Sequence, residues 1–126
     1  MEFDKTLLAG STGMMVLKLL EQEDMYGYQM IETLRERSEH SFDLKAGTLY
    51  PLLHSLEEKE LIRSYEKDEG AARPRRYYHL ERKGQHLLRE KEVEWATFTT
   101  AVDRVLKGGV CLGSAWNLYP LCPHRG

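Results

Sequence analysis

The chain has 126 residues, 41% of them hydrophobic and 30% charged, with a formal net charge of −2. That length suits one domain whose modest core gains from burying more surface against a second copy, and no apolar run approaches the roughly 18 residues of a membrane span. The opening Met1-Glu2-Phe3-Asp4-Lys5 lacks a secretion signal, and both cysteines, Cys111 and Cys122, fall too late to staple the main body, so a cytoplasmic protein with reduced thiols is expected.

Residues 7–20 hold Leu7, Leu8, Met14, Met15, Val16, Leu17, Leu19 and Leu20, too many apolar positions for a one-faced surface helix, which predicts a buried helix. Acidic residues Glu21, Glu23 and Asp24 end it, and a second helix begins at Tyr26-Gly27-Tyr28 with Ile31 and Leu34 inward, until Ser38, His40 and Ser41 break the pattern. A third helix, about 45 to 60, carries Leu49, Leu52, Leu53 and Leu56 at i, i+3, i+4 and i+7, one buried stripe. Pro51 leaves its first turns uncertain, because a proline there cannot donate its backbone bond and crowds the Gly47 carbonyl. Residues 61–66 and 75–80 are short and rich in β-branched or aromatic side chains, with Gly70 between them, which predicts a β-hairpin. From Arg82 to Lys107 the pattern is helical again: Leu88, Trp95 and Val102 recur every seven residues, as do Lys91, Phe98 and Val105. Such a repeat prefers another helix as partner. Gly108 and Gly109 stop it, and the aperiodic remainder reads as a flexible tail.

Two constellations carry chemistry. On the third helix, Gly47, Pro51, His54 and Glu58 lie opposite the leucines, with Thr48, Tyr50 and Ser55 flanking. A solvated amphipathic face is the competing reading, but such a face usually carries Lys and Glu along its whole length, whereas here small and hydroxyl residues fill the first half. These let a helix N-terminus approach a groove closely, where its N–H groups favour phosphate. The hairpin supplies the second constellation, Arg73, Arg75 and Arg76, read either as a charged sheet edge or as phosphate and groove contacts. Charge distribution favours contact with an anion: residues 1–44 carry four Lys/Arg against nine Asp/Glu, residues 73–90 six against two. Tyr77 and Tyr78 point to opposite faces, so one packs and the other reaches phosphate. A polar-faced helix followed by a basic hairpin is the arrangement of a winged helix-turn-helix on duplex DNA; a winged helix serving only as a protein-interaction module is the alternative. Trp95 reads first as interface packing and second as one wall of a ligand pocket near a two-fold axis, with Phe98 and Thr99 one turn away. The five histidines are scattered without metal-ligand spacing, and no nucleophile-base set or phosphate loop emerges, so neither an enzyme nor a metal or other cofactor is expected.

Tyr26-Gly27-Tyr28, Gly47 to Leu53, Leu56-Glu57, Leu61-Ile62 and Arg75 to Leu80 resemble, in order and spacing, the PadR family of bacterial transcriptional regulators over about residues 5 to 107. The resemblance implies a mainly α fold with a small β-hairpin: a winged helix-turn-helix (1–80), a C-terminal dimerisation helix (81–107) and a tail (108–126). It implies a homodimeric repressor on a palindromic operator, with Lys45, Thr48 and Tyr50 at DNA-contacting positions and Arg75, Arg76 and Tyr78 in the wing. It also implies dimerisation through one long helix packed with the partner's first helix, using Leu7, Leu8, Leu88, Trp95, Phe98, Val102 and Val105. In some such members paired tryptophans bind planar or aromatic compounds that release DNA. On this reading Thr48 and His54 approach base edges, and Lys45, Tyr50, Arg73, Arg75 and Arg76 approach phosphates.

Overall fold

The computed structural model describes residues 5–70, 73–108, 110–112 and 121–125, with side chains from 10 to 70 and 73 to 108. The elements run α1 (Lys5–Gln22), β1 (Met25–Tyr26), α2 (Gly27–Arg37), α3 (Ala46–Glu58), β2 (Ile62–Lys67), β3 (Arg75–Leu80), α4 (Arg82–Leu106), β4 (Val110–Leu112) and β5 (Leu121–Arg125). The chain divides into two compact units, Met1–Glu90 and Lys91–Gly126.

In the first unit α1 is the central helix, with Val16, Leu17, Leu19 and Leu20 all buried. Buried neighbours three and four apart on α2 (Met30, Ile31, Leu34) and on α3 (Leu49, Leu53, Leu56) complete the core. The Gln29 side chain turns back at the start of α2 to accept from the Tyr26 backbone N–H at 3.4 Å, serving one of the donors a helix start leaves unpaired. Pro51 sits inside α3 without ending it. Both Pro51 and Gly47 are exposed, so the carbonyl that loses its helical partner faces water.

The hairpin is part of a larger sheet than the sequence suggested. Two residues after α1, Met25 and Tyr26, pair with Tyr78 and Tyr77, giving an antiparallel sheet of order β1-β3-β2. A two-residue strand is too short to show any alternation, which is why the pattern placed Tyr26 in the helix instead. Along β3 the two-residue period sends Tyr78 and Leu80 into the core and Arg75, Tyr77 and His79 to the other face. On that second face Tyr77 is covered by tyrosines rather than by a helix: Tyr26 meets it edge-on at 5.4 Å between centroids, and Tyr65 stacks at 5.8 Å.

The sequence places a boundary at 80/81, but the first unit runs on to Glu90 because the first turns of α4 belong to its core. A Cβ on Gly84 would lie 2.2 Å from the Leu61 carbonyl oxygen, the atom that also accepts the Glu81 N–H at 2.9 Å. One turn later Leu88 is completely buried among the core residues. Leu88, expected at the dimer seam, is therefore a core residue of its own unit.

In the second unit α4 ends at a left-handed Gly108, φ 63°, whose N–H donates to the Val105 carbonyl at 3.1 Å, a conformation that favours glycine. Beyond it β4 and β5 pair antiparallel, Val110 opposite Arg125 and Leu112 opposite Leu121, where the sequence suggested no regular element.

Candidate nucleic-acid interface

Helix α3 presents two faces of opposite character. Leu49, Leu53 and Leu56 are buried, while Thr48, Tyr50, Pro51 and His54 on the other side are exposed. Among the described residues nothing lies within 4 Å of a Cβ built on Gly47, so no packing among them demands glycine there. Tyr50 is different: its ring lies across the start of α2, where a Cβ on Gly27 would come within 2.2 Å of its hydroxyl oxygen. Gly27 thus allows Tyr50 to bridge the two helices while keeping it exposed.

Lys45 is the residue before the first turn of α3. Its ammonium pairs with Asp43 at 3.0 Å, and the other Asp43 oxygen takes Arg35 at 3.1 Å. Hydrogen bonds from Lys45 and then Arg35 hold the Asp43 carboxyl below the ordinary range. The cation is thereby stationed beside the N-terminus of α3 on an exposed stem. His54 lies 3.3 Å from Glu58 one turn on, an exposed pair that contributes little to stability.

The arginines of the hairpin differ in their engagement. Arg73 and Arg76 are exposed and form no ion pair among the described residues. Arg75 bonds Glu69 at 3.2 Å and lies 4.5 Å above the Tyr26 ring centroid. Glu69 also accepts from the Tyr77 hydroxyl and faces Lys67 at 3.7 Å. The Tyr77 hydrogen bond, opposed by burial and helped by Lys67 and Arg75, holds the Glu69 carboxyl below its ordinary value. Tyr78 requires a correction: it is 6% exposed and belongs to the core, so the β3 alternation sends its ring inward instead of toward phosphate. Tyr77, its neighbour on the other face, is equally covered.

Two polar connections fix the hairpin to the helices, and neither stood out in the sequence. Asp24 accepts from the Tyr65 hydroxyl at 2.7 Å and meets His79 Nδ1 at 2.9 Å, joining the α1–β1 connection to β2 and β3. Burial raises the Asp24 carboxyl, but the bonds from Tyr65 and His79, with the charges of His79 and Arg63, outweigh it and leave it below the ordinary value. The Ser64 hydroxyl donates to Glu57 at 2.7 Å, joining β2 to α3. The partners are 41, 55 and 7 residues apart; the signal that could have found them is a polar or tyrosine side chain alternating with core residues on each strand.

In the second unit Trp95 is 45%, Phe98 60% and Val105 78% exposed, and Val102 is half-buried. The Thr99 hydroxyl donates to the Trp95 carbonyl at 2.9 Å. The side chains of Leu7 and Leu8 lie outside the described residues. Among the described residues no helix is long and apolar enough to cross a membrane, and no group of His, Cys, Asp or Glu could hold a metal ion.

Residues 16–90 match the model of the transcriptional regulator PadR-like family. An uncharacterised protein of Lysinibacillus sphaericus is 31% identical over 102 residues, 81% of this chain and 94% of that one. Among solved structures, a transcriptional regulator from Clostridium thermocellum superposes with a TM-score of 0.74 at 26% identity, covering 79% of this chain and 97% of its own. A PadR family transcriptional regulator from Eggerthella lenta superposes with a TM-score of 0.71 at 35% identity, covering 80% and 86%.

Proposed function

The chain belongs to the PadR-like family of transcriptional regulators, DNA-binding proteins, and from this premise we propose that it is a repressor that grips a palindromic operator as a homodimer and lets go when a small planar or aromatic compound binds. The observation that carries the DNA half of this reading is the uncovered first half of α3: Gly47, Thr48, Tyr50, Pro51 and His54 are all exposed while the leucines behind them are buried. Small residues at its start admit a groove wall closely. Thr48 and His54 then stand at base edges, and Lys45, Tyr50, Arg73 and Arg76 stand at phosphates. Phosphate contacts set the register of the helix and base-edge contacts read the sequence.

Dimerisation is supported by the exposed Trp95, Phe98 and Val105, which a lone soluble chain would rarely leave uncovered. Paired across a two-fold axis, the recognition helices would stand roughly 34 Å apart, one turn of B-DNA, and a palindrome would match that symmetry. Trp95 and Phe98 from both protomers, with Thr99 beside them, would form an aromatic slot for a flat ligand. A ligand wedged there would alter the spacing of the two recognition helices and so weaken their grip.

The test is a mobility shift with DNA from around the protein's own coding region against random duplex at the same salt. The reading predicts retention of the first at concentrations that leave the second free; equal or absent binding contradicts it. Arg76→Ala should weaken both and lower the log-log salt slope by about 0.9, the loss of one phosphate contact.

A further inference from the structure

The wing holds three arginines of which one is already occupied. Arg75 is bonded by the Glu69 carboxylate on one side and backed by the Tyr26 ring on the other, whereas Arg73 and Arg76 reach solvent without an ion pair among the described residues. Carboxylate and phosphate compete for the same fork of guanidinium N–H groups. Glu69 is itself held in place: the Tyr77 hydroxyl donates to one of its oxygens, and Lys67 stands beside it. Tyr77 in turn is fixed by the stack on Tyr65. The carboxylate, though on an exposed residue, is thus tied to three side chains of the hairpin.

We propose that Glu69 is an affinity-setting residue: it occupies the Arg75 guanidinium as an internal stand-in for phosphate, so that the wing grips DNA with one contact fewer than its sequence offers. This rests on the DNA-binding reading above. The consequence is a regulator held below its attainable affinity, and so easier to release. Arg75 keeps Glu69 as its anion when the wing meets DNA, whereas Arg76 is open to phosphate. Ionisation of Glu69 at neutral pH follows from its lowered carboxyl value, so the competition is present under ordinary conditions.

The experiment uses the full chain and the variant Glu69→Gln, whose amide oxygen still accepts from Tyr77 and preserves the shape of the hairpin while the charge is gone. Duplex affinity is measured between 50 and 200 mM salt for wild type, Glu69→Gln, Arg75→Ala and the double variant, with Glu66→Gln, one strand residue away from the cluster, as the control for loss of one wing charge. The proposal expects tighter binding by Glu69→Gln and a log-log slope steeper by about 0.9, so that the gain shrinks about 3.5-fold across that salt range. The gain should vanish in the Arg75→Ala background and exceed that of Glu66→Gln. Tyrosine absorbance should independently show Tyr77 ionising more easily in Glu69→Gln, because Glu69 raises that hydroxyl's value in the wild type. An unchanged slope, or a gain that persists without Arg75, overturns the proposal while leaving the DNA-binding reading intact. Absence of duplex binding by every variant, wild type included, overturns both.

Discussion

Helices α3 and α4 carry similar apolar stripes and meet opposite fates. On α3 the stripe is spent inside the chain: Leu49, Leu53 and Leu56 are buried. On the second half of α4, Trp95, Phe98 and Val105 stand in solvent. Apolar periodicity states that a face must be covered, but not by what. Spacing alone does not separate them, since Leu49 and Leu56 lie seven residues apart as Trp95 and Val102 do; α4 sustains the repeat for longer, from Leu88 to Val105. Leu88 marks the crossover, since it obeys the same repeat yet packs into its own unit's core.

The sharpest way to break this contrast is to truncate both aromatics. Trp95→Ala with Phe98→Ala removes side chains that recur twice in a dimer, at about 2 kcal/mol or more for each central aromatic. Sedimentation at micromolar concentration should show monomers, with operator affinity lower by roughly two orders of magnitude and the fold retained. A dimer that survives places the interface elsewhere.

A pair of glycine substitutions sharpens the comparison at smaller scale. Gly84→Ala drives a Cβ against the Leu61 backbone carbonyl and should cost roughly 1–3 kcal/mol, visible as an earlier denaturant midpoint. Gly47→Ala meets nothing within 4 Å among the described residues and should leave the fold unharmed or more stable by about 0.5 kcal/mol, while weakening DNA binding because the added methyl stands on the face proposed to meet the groove. A Gly47→Ala protein with unchanged affinity would remove α3's first turn from the interface.

The smallest effect concerns acid. The Asp24 carboxyl titrates below its ordinary value in the folded state, so its contribution to stability is complete above a pH of about 4, the unfolded value, and is lost as pH falls through the lowered folded value. Denaturant midpoints measured at decreasing pH should fall less steeply for Asp24→Asn than for wild type. Equal slopes would show that the bonds to Tyr65 and His79 contribute nothing to the acid limb.

Helix positions, the hairpin and the polar face of α3 were legible because each is written in local periodicity or in a short run of residues. Strand β1 was not, since two residues carry no period. The engagement of Arg75 and the burial of Tyr78 were hidden for a related reason: composition marked the hairpin as basic and aromatic, but only the register opposite β1 and β2 decides which side chains turn inward and which acid lies beside which arginine. Asp24 was read merely as one of the acidic residues ending α1, and its bonds to Tyr65 and His79 join residues far apart in the chain. A heptad repeat grouped Leu88 with Trp95 and Val102, but Leu88 is buried in the core of its own unit, and periodicity does not record which partner covers an apolar position.

Contact with DNA on the outer side of α3 is what the proposed function stands on. Backbone amide shifts of isotope-labelled protein, followed during titration with duplex from around its own coding region, test it most directly. The largest changes are expected over residues 45–54, with a second group at 73–76 in the wing. Changes confined to the tyrosine face of the sheet or to α4, with α3 undisturbed at saturation, would contradict it.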